Sequence, residues 1–131
     1  MNHLITSIYT TLSGGTALTS MLGGTAIYHL QAPDGAALPY VVFSNAGGGD
    51  ESLTPSRMTN TVWNVRAWAD DAKEAWAIMD AVDALLHNKT LTVTGWTCFW
   101  SMRENIFELT DTTGADTLYG AGAYYRIRLD S

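Results

Sequence analysis

Leu-Tyr-Gly-Ala-Gly-Ala-Tyr-Tyr-Arg-Ile-Arg-Leu, residues 118–129, is the stretch that decides the fold. Its odd-numbered positions are apolar, and its even-numbered positions from 120 onward carry glycine, tyrosine or arginine. Alternation with a period of two over about twelve residues is typical of an antiparallel strand with one buried face. The stretch therefore predicts a sheet that packs one face on a core and leaves the other for solvent or for a neighbouring subunit.

The first half of the chain predicts two short helices and two strands. Apolar residues spaced four apart predict a helix over residues 3–12, and residues 16–22 predict a second helical turn. A pair of glycines ends each of them. Strands are predicted over 26–30 and 40–44. The second strand is apolar on both faces, so we expect it to be central and covered.

The longest helix is predicted directly after a strand over residues 61–69. Asp71 stands at its N-terminus with Glu74 three residues later, which is the spacing of a capping box. An apolar stripe continues to Leu86 and predicts one buried helix face. His87 follows at the C-terminal end, where the helix dipole favours a cation. These residues therefore have a structural reason for their positions.

The remaining segments predict more strands. A strand is predicted near 91–93, and another over 96–103 continues through 104–111. Residues 111–114 predict a hairpin turn into the last strand. Alternating residues of the 96–103 strand are expected to point inward, namely Trp96, Cys98, Trp100 and Met102.

The order of these elements predicts an α+β fold in one domain over residues 1–131. We expect an antiparallel or mixed sheet of four to five strands, with one long helix and an N-terminal helix packed on one face. The odd-numbered face of the last strand should pack on the long helix through Trp76 and Met79. Gly120 and Gly122 lie on the other face, where a partner backbone could approach.

Residues 45–60 form the longest segment without a periodic pattern. The segment contains Gly47-Gly48-Gly49, Asp50-Glu51 and a proline at position 55. It is predicted to be a flexible loop, because loops of this length in compact domains are usually functional or mobile. We expect a partner to order it.

Charged residues are only 15% of the chain, whereas apolar residues are 47%. A charged fraction below the usual quarter indicates that another subunit covers part of the surface. The five tryptophans and six tyrosines are equally consistent with a dense core whose aromatic tips reach solvent. Composition alone leaves both explanations open.

The charge and cysteine content argue against several classes of protein. The net charge is −6 and the cations form no run, so nucleic-acid binding is not expected. The single cysteine, Cys98, cannot form an intramolecular disulfide and is interpreted as a core residue. The sequence shows no signal-peptide pattern and no apolar run of bilayer length, so we expect synthesis in a cytoplasm.

No combination of residues predicts catalysis, a metal site or a cofactor site. His3, His29 and His87 lie at a terminus, on a strand and at a helix end, with no serine or cysteine placed beside them by sequence. The acidic pair Asp50-Glu51 has no capping role, but adjacent acids alone are weak evidence for acid–base chemistry. Phosphate-loop and calcium-loop patterns are missing from the sequence. We therefore expect a non-enzymatic protein without a cofactor.

Four segments carry a family resemblance through their order and spacing. They are the N-terminal helix with Ala26-Ile27-Tyr28, the run Ala37–Phe43, the run Val62–Ala69 that enters the acidic helix start, and Leu118-Tyr119-Gly120 before Tyr124–Arg128. Together they resemble the small tail-completion, or tail-terminator, proteins of long-tailed phages and phage-like particles. The resemblance covers most of the chain.

The resemblance implies a structural virion protein without catalytic activity. It implies a hexameric ring, assembled in the host cytoplasm, that caps the head-proximal end of a tail tube. Such a ring stops tube polymerisation and contacts both the tail tube protein and the head–tail connector protein. DNA would pass through its lumen without specific binding, which suits an acidic protein.

Residues for the subunit or tube interface are predicted on the irregular segment and on the outer face of the last strand. They are Asp50, Glu51, Arg57, Tyr124, Arg126 and Arg128. The lumen is expected to be lined by Asp50 and Glu51 or by the acids of the long helix.

Two alternatives stay open on sequence alone. The first is a small dimeric α+β barrel, an enzyme or ligand-binding protein, whose cleft would be lined by Trp63, Trp100, His29 and Asn64. The second is another assembly module, such as a head-completion protein.

Overall fold

The computed structural model describes residues 1–52, 57–112 and 117–130. These residues form three helices and five strands. The helices are α1 (Asn2–Ser13), α2 (Thr16–Leu22) and α3 (Ala72–Leu86). The strands are β1 (Ile27–His29), β2 (Tyr40–Ser52), β3 (Arg57–Ala69), β4 (Thr97–Asp111) and β5 (Leu118–Asp130).

The five strands form one mixed sheet in the order β1-β2-β3-β5-β4. The short strand β1 lies parallel to β2, and all the other neighbours are antiparallel. The predicted α+β fold with a mixed sheet is therefore confirmed.

The core lies between the helices and one face of the sheet. Along β5 the odd-numbered residues from Ala121 to Leu129 are buried, as the alternation predicts. Met79 of α3 belongs to the same apolar cluster, and the partly buried Trp76 packs against it. Helix α1 contributes its predicted stripe to this cluster through Leu4, Ile8 and Leu12.

Helix α3 begins where the sequence places its cap. The Asp71 side chain accepts a hydrogen bond from the Glu74 backbone N–H at 2.7 Å. This bond satisfies one of the otherwise unpaired amides of the first helical turn. The helix ends at Leu86, and the backbone N–H of His87 donates to the Asp83 carbonyl at 2.9 Å.

The prediction of an irregular loop over residues 45–60 is wrong. Strand β2 continues to Ser52, and β3 begins at Arg57. A bulge between Asn45 and Gly47 lets the pairing continue. Gly48 has a φ of +106°, and a Cβ atom there would collide with the backbone of β3. Glycine is thus needed for pairing, although its presence suggested a loop. The expected flexibility of 45–60 stays a prediction, and residues 53–56 lie outside the described part.

Two predictions about the fourth strand are also wrong. Residues 91–93 form no strand and contribute only an isolated bridge between Val93 and Trp96. Bulges in β4 shift its register at Cys98/Trp100 and at Arg103/Asn105. Ser101 is therefore fully buried, whereas Trp100 and Met102 are only half-buried. Residues 113 and 114 of the predicted hairpin turn lie outside the described residues.

Replacement of Gly48 by alanine should destabilise the β2–β3 hairpin. The new Cβ meets the β3 backbone, and alanine disfavours a positive φ, so we expect a loss of about 2 kcal/mol or more in the free energy of unfolding. Denaturant unfolding measures the loss. Gly49→Ala is the matched control, because nothing lies within 4 Å of its Cβ position. An equal loss in both variants would contradict this account.

Candidate interaction surface

The sheet face that points away from the core carries the polar residues of β3 and β5. We call it the open face. Asn64 pairs with Tyr124 on this face, and the neighbouring positions place Arg126 and Arg128 in line along β5. All four side chains are half-buried. Directly paired residues of an antiparallel sheet share a face, so these side chains form one continuous surface.

The two glycines of β5 give space to aromatic rings of the same chain. A Cβ atom at Gly120 would lie 3.0 Å from the Trp68 ring, and one at Gly122 would collide with the Phe107 ring. Both glycines are buried. The expectation that a partner backbone approaches them is therefore wrong, because rings from β3 and β4 already occupy that space.

Arg126 connects three strands across the open face. Its Nη1 donates to the Asn60 Oδ1 on β3 at 2.8 Å, and its Nε forms an ion pair with the Glu104 carboxylate on β4. Tyr124 packs against Phe107 with ring centroids 5.3 Å apart. The structure thus brings the predicted interface residues of β5 together on one ordered surface.

The other predicted interface residues lie at the far end of the β2–β3 hairpin. Asp50 is exposed and pairs with Thr59, which is buried on the core side of the sheet. Asp50 therefore does not share the open face with Tyr124 and Arg126. Glu51 pairs with Met58, and Arg57 pairs with Ser52, at the end of the same hairpin.

Arg66 makes contacts that the sequence does not predict. Its Nη1 donates to the Asn64 Oδ1 at 3.0 Å and to the Ser44 Oγ at 3.5 Å. Its Nη2 donates to the Leu30 carbonyl at 3.2 Å. Burial of the guanidinium lowers the pKa of Arg66 from its usual value. The alternation of β3 places Arg66 on the open face, but its contact with Leu30 comes only from the folded chain.

A groove of about 500 Å³ opens beside Arg66 on the open face. The connection between β1 and β2 passes over the sheet here. The groove is lined by residues 31–36, Tyr40, Val42, Arg66, Trp68, Asp111 and Leu118. Burial, followed by the nearby Asp111 charge, raises the pKa of the Tyr40 phenol.

The histidines and the cysteine make structural contacts. His29 packs on Phe43 and His3 stacks on Trp96, with ring centroids 5.3 Å and 5.0 Å apart. The Nδ1 of His87 accepts a hydrogen bond from the Arg103 backbone N–H at 3.0 Å. Cys98 is 8% exposed, and burial raises the pKa of its thiol. None of these contacts joins a nucleophile to a base.

The cleft of the barrel alternative does not form. Trp63 is 1% exposed within the core, and its Nε1 donates to the Thr61 hydroxyl at 3.0 Å. Asn64 lies on the opposite face of the sheet.

In the described ranges, no three His, Cys, Asp or Glu residues are grouped so that they could hold a metal ion. The described helices lack the combined length and apolar character needed to cross a bilayer.

Comparisons with known proteins agree with this architecture. The family model described as "Tail completion protein gp17" matches residues 6–130. A chain from the virion of a native gene transfer agent (GTA) particle is similar at 18% identity and a TM-score of 0.79, over 96% of this chain and 93% of its own. A second solved chain is similar at 14% identity and a TM-score of 0.59, over 96% and 94%. At these identities, the two structures establish the fold. No curated protein sequence matches at a significant level.

Proposed function

The chain belongs to the tail completion protein gp17 family, and we propose on that basis that it forms a ring at the head-proximal end of a phage tail tube. Family membership makes it a structural, non-enzymatic protein of the virion tail that assembles with other virion proteins. The proposed ring stops tube polymerisation and presents the surface that joins tail to head. The family match over nearly the whole chain is the observation that carries this proposal.

The two edges of the sheet support a ring of identical subunits. Strand β1 covers β2 only along Val41–Phe43, so no described strand lies along the outer edge of β2 over 45–49. On the other side, β4 has no described strand along its outer edge over 104–110. Uncovered strand edges present backbone donors and acceptors, and a strand from another chain can pair with them.

The uncovered halves of the two edges lie at opposite ends of the sheet. Across the sheet, Gly49 of β2 pairs with Asn60, Asn60 pairs with Arg128, and Arg128 pairs with Trp100 of β4. Gly49 and Trp100 therefore lie at the same height on the two outer sides of the sheet. The uncovered half of β4 is instead level with the part of β2 that β1 covers. The two edges therefore differ, so a contact between them is head-to-tail. Head-to-tail contacts produce rings when the rotation between subunits closes.

Exposed apolar side chains mark the uncovered half of β4. Ile106 is 58% exposed and Leu109 is 41% exposed. They project to opposite sides of the strand, because Ile106 pairs with Ala123 of the core face and Leu109 pairs with Gly120 of the open face. A neighbouring subunit that covers this edge would remove both side chains from water, which favours association. A hexamer is the ring size that we propose.

Removal of the gene should disturb both the length of the tails and their joining to heads. Without a terminator, the tube is expected to continue growing, so electron microscopy should show tailless heads and tails of abnormal length. Complementation with the intact gene is the control. Normal-length tails joined to heads would contradict the proposal, and normal-length tails left unjoined would favour a head-completion protein instead.

Substitutions of Arg126 and Tyr124 should weaken ring formation without unfolding the subunit, because these side chains contact Glu104 and Phe107 on the uncovered half of β4. Arg126→Gln removes a partly exposed ion pair, which costs less than about 1 kcal/mol, and Tyr124→Ala removes the contact with Phe107. We expect both variants to fold. Light scattering should give the molar mass of a single subunit for the variants and the molar mass of the ring for the unchanged protein. Arg103→Gln is the matched control, because Arg103 pairs with Asp83 of α3. Intact rings in both variants would move the interface elsewhere.

Acidic residues are proposed to line the lumen and to repel the DNA backbone. Reversal of Asp50 and Glu51 to lysine should leave the ring intact but reduce infectivity by about tenfold or more, because a cationic lumen binds phosphate. Asp80→Lys, on the exposed side of α3, tests whether helix acids line the lumen instead. Unchanged infectivity after reversal at 50 and 51 would contradict lining by this pair.

A further inference from the structure

Arg66 is a half-buried cation whose hydrogen-bond partners are all neutral. They are the Asn64 amide oxygen, the Ser44 hydroxyl and the Leu30 carbonyl. No carboxylate of the described residues lies within ion-pair distance of its guanidinium. Partial burial of a charge costs free energy unless a counter-charge compensates for it. The guanidinium is thus positioned by neutral groups and retains capacity for an anion.

The groove beside Arg66 supplies the rest of an anion site. Tyr40 lines the groove directly, together with the apolar side chains of Val42 and Trp68. A guanidinium has five N–H donors in a planar fork that matches a carboxylate. The groove beside this donor is lined by both polar and apolar side chains, which suits an extended segment that carries one acidic side chain.

We propose that this groove binds an aspartate or glutamate side chain on an extended segment of another protein, with Arg66 as the anchor of the carboxylate. The proposed ligand is a protein carboxylate and not a nucleic acid. Asp111 lines the groove, and Asp34 lies on the connection over it. The whole chain has a net charge of −6. Because these negative charges disfavour each added anionic group, a ligand with one carboxylate is repelled less than a polyanionic backbone.

The groove is built within one subunit, so this inference does not depend on the ring. The cost of the partly buried Arg66 charge is offset when a carboxylate of a partner binds. A subunit can use such a site to recognise a partner segment before a larger interface forms.

The test uses two capped peptides and the unchanged protein. We expect acetyl-Ala-Val-Glu-Val-Ala-amide to bind about tenfold more tightly than the same peptide with Gln in place of Glu, because a hydrogen bond to a charged group is the stronger one. NMR titration of the Trp68 indole N–H follows binding at the groove. Equal affinity for the two peptides would overturn the inference. Arg66 would then serve only to hold the connection between β1 and β2 through its hydrogen bond to Leu30.

Two variants of equal charge locate the anchor. Arg66→Gln should abolish the preference for the Glu peptide, whereas Lys73→Gln should retain it, since Lys73 is exposed on α3. Retention of the preference in Arg66→Gln would also overturn the inference. So would a stronger response of the Trp68 signal to inorganic phosphate or to oligothymidylate. A subunit that prefers the Glu peptide but never forms a ring would keep this inference and contradict the proposed function.

Discussion

The antiparallel pairing of β3 with β5 is the constraint on which the rest of the structure depends. It runs without a register shift from Met58 opposite Asp130 to Ala69 opposite Tyr119. On the core side this register places Trp63 opposite Tyr125, and on the open side it places residue 62 opposite Arg126. Since side chains alternate with a period of two, this one register decides which side chains lie on the core face and which lie on the open face. A slip by one residue would expose the core and bury the arginines.

Tyr125 connects the paired strands to helix α3. Its ring is fully buried, and its hydroxyl donates to the Asp83 carboxylate on α3 at 2.9 Å. Arg103 of β4 lies 3.6 Å from the same oxygen. Burial, followed by the bond to Asp83, raises the pKa of Tyr125, so the phenol keeps its proton and remains a donor. The three groups connect α3, β5 and β4, and they hold the sheet in one orientation beneath the helices.

The sequence predicts a segment well when its residues are compatible with only one local structure. The alternation of β5 and the Asp71 cap each correspond to a single local arrangement, and the structure confirms both. Gly48 has two possible roles, and only contact with β3 distinguishes a strand glycine from a loop glycine. The groove depends on Arg66 reaching Leu30, which is 36 positions away. Such long-range contacts and the bulges of β4 leave no periodic signal in one chain.

The contacts of the tryptophans favour the dense-core explanation of the composition. Trp63 alone is fully buried among the five, yet three of the others are engaged within the subunit. Trp76 donates to Glu108 at 3.0 Å, Trp96 stacks on His3, and Trp68 packs over Gly120. The aromatic content therefore serves mainly the subunit itself. The exposed apolar side chains on the uncovered half of β4, Ile106 and Leu109, are aliphatic instead, so the surface left for a neighbour there is a strand edge with aliphatic side chains.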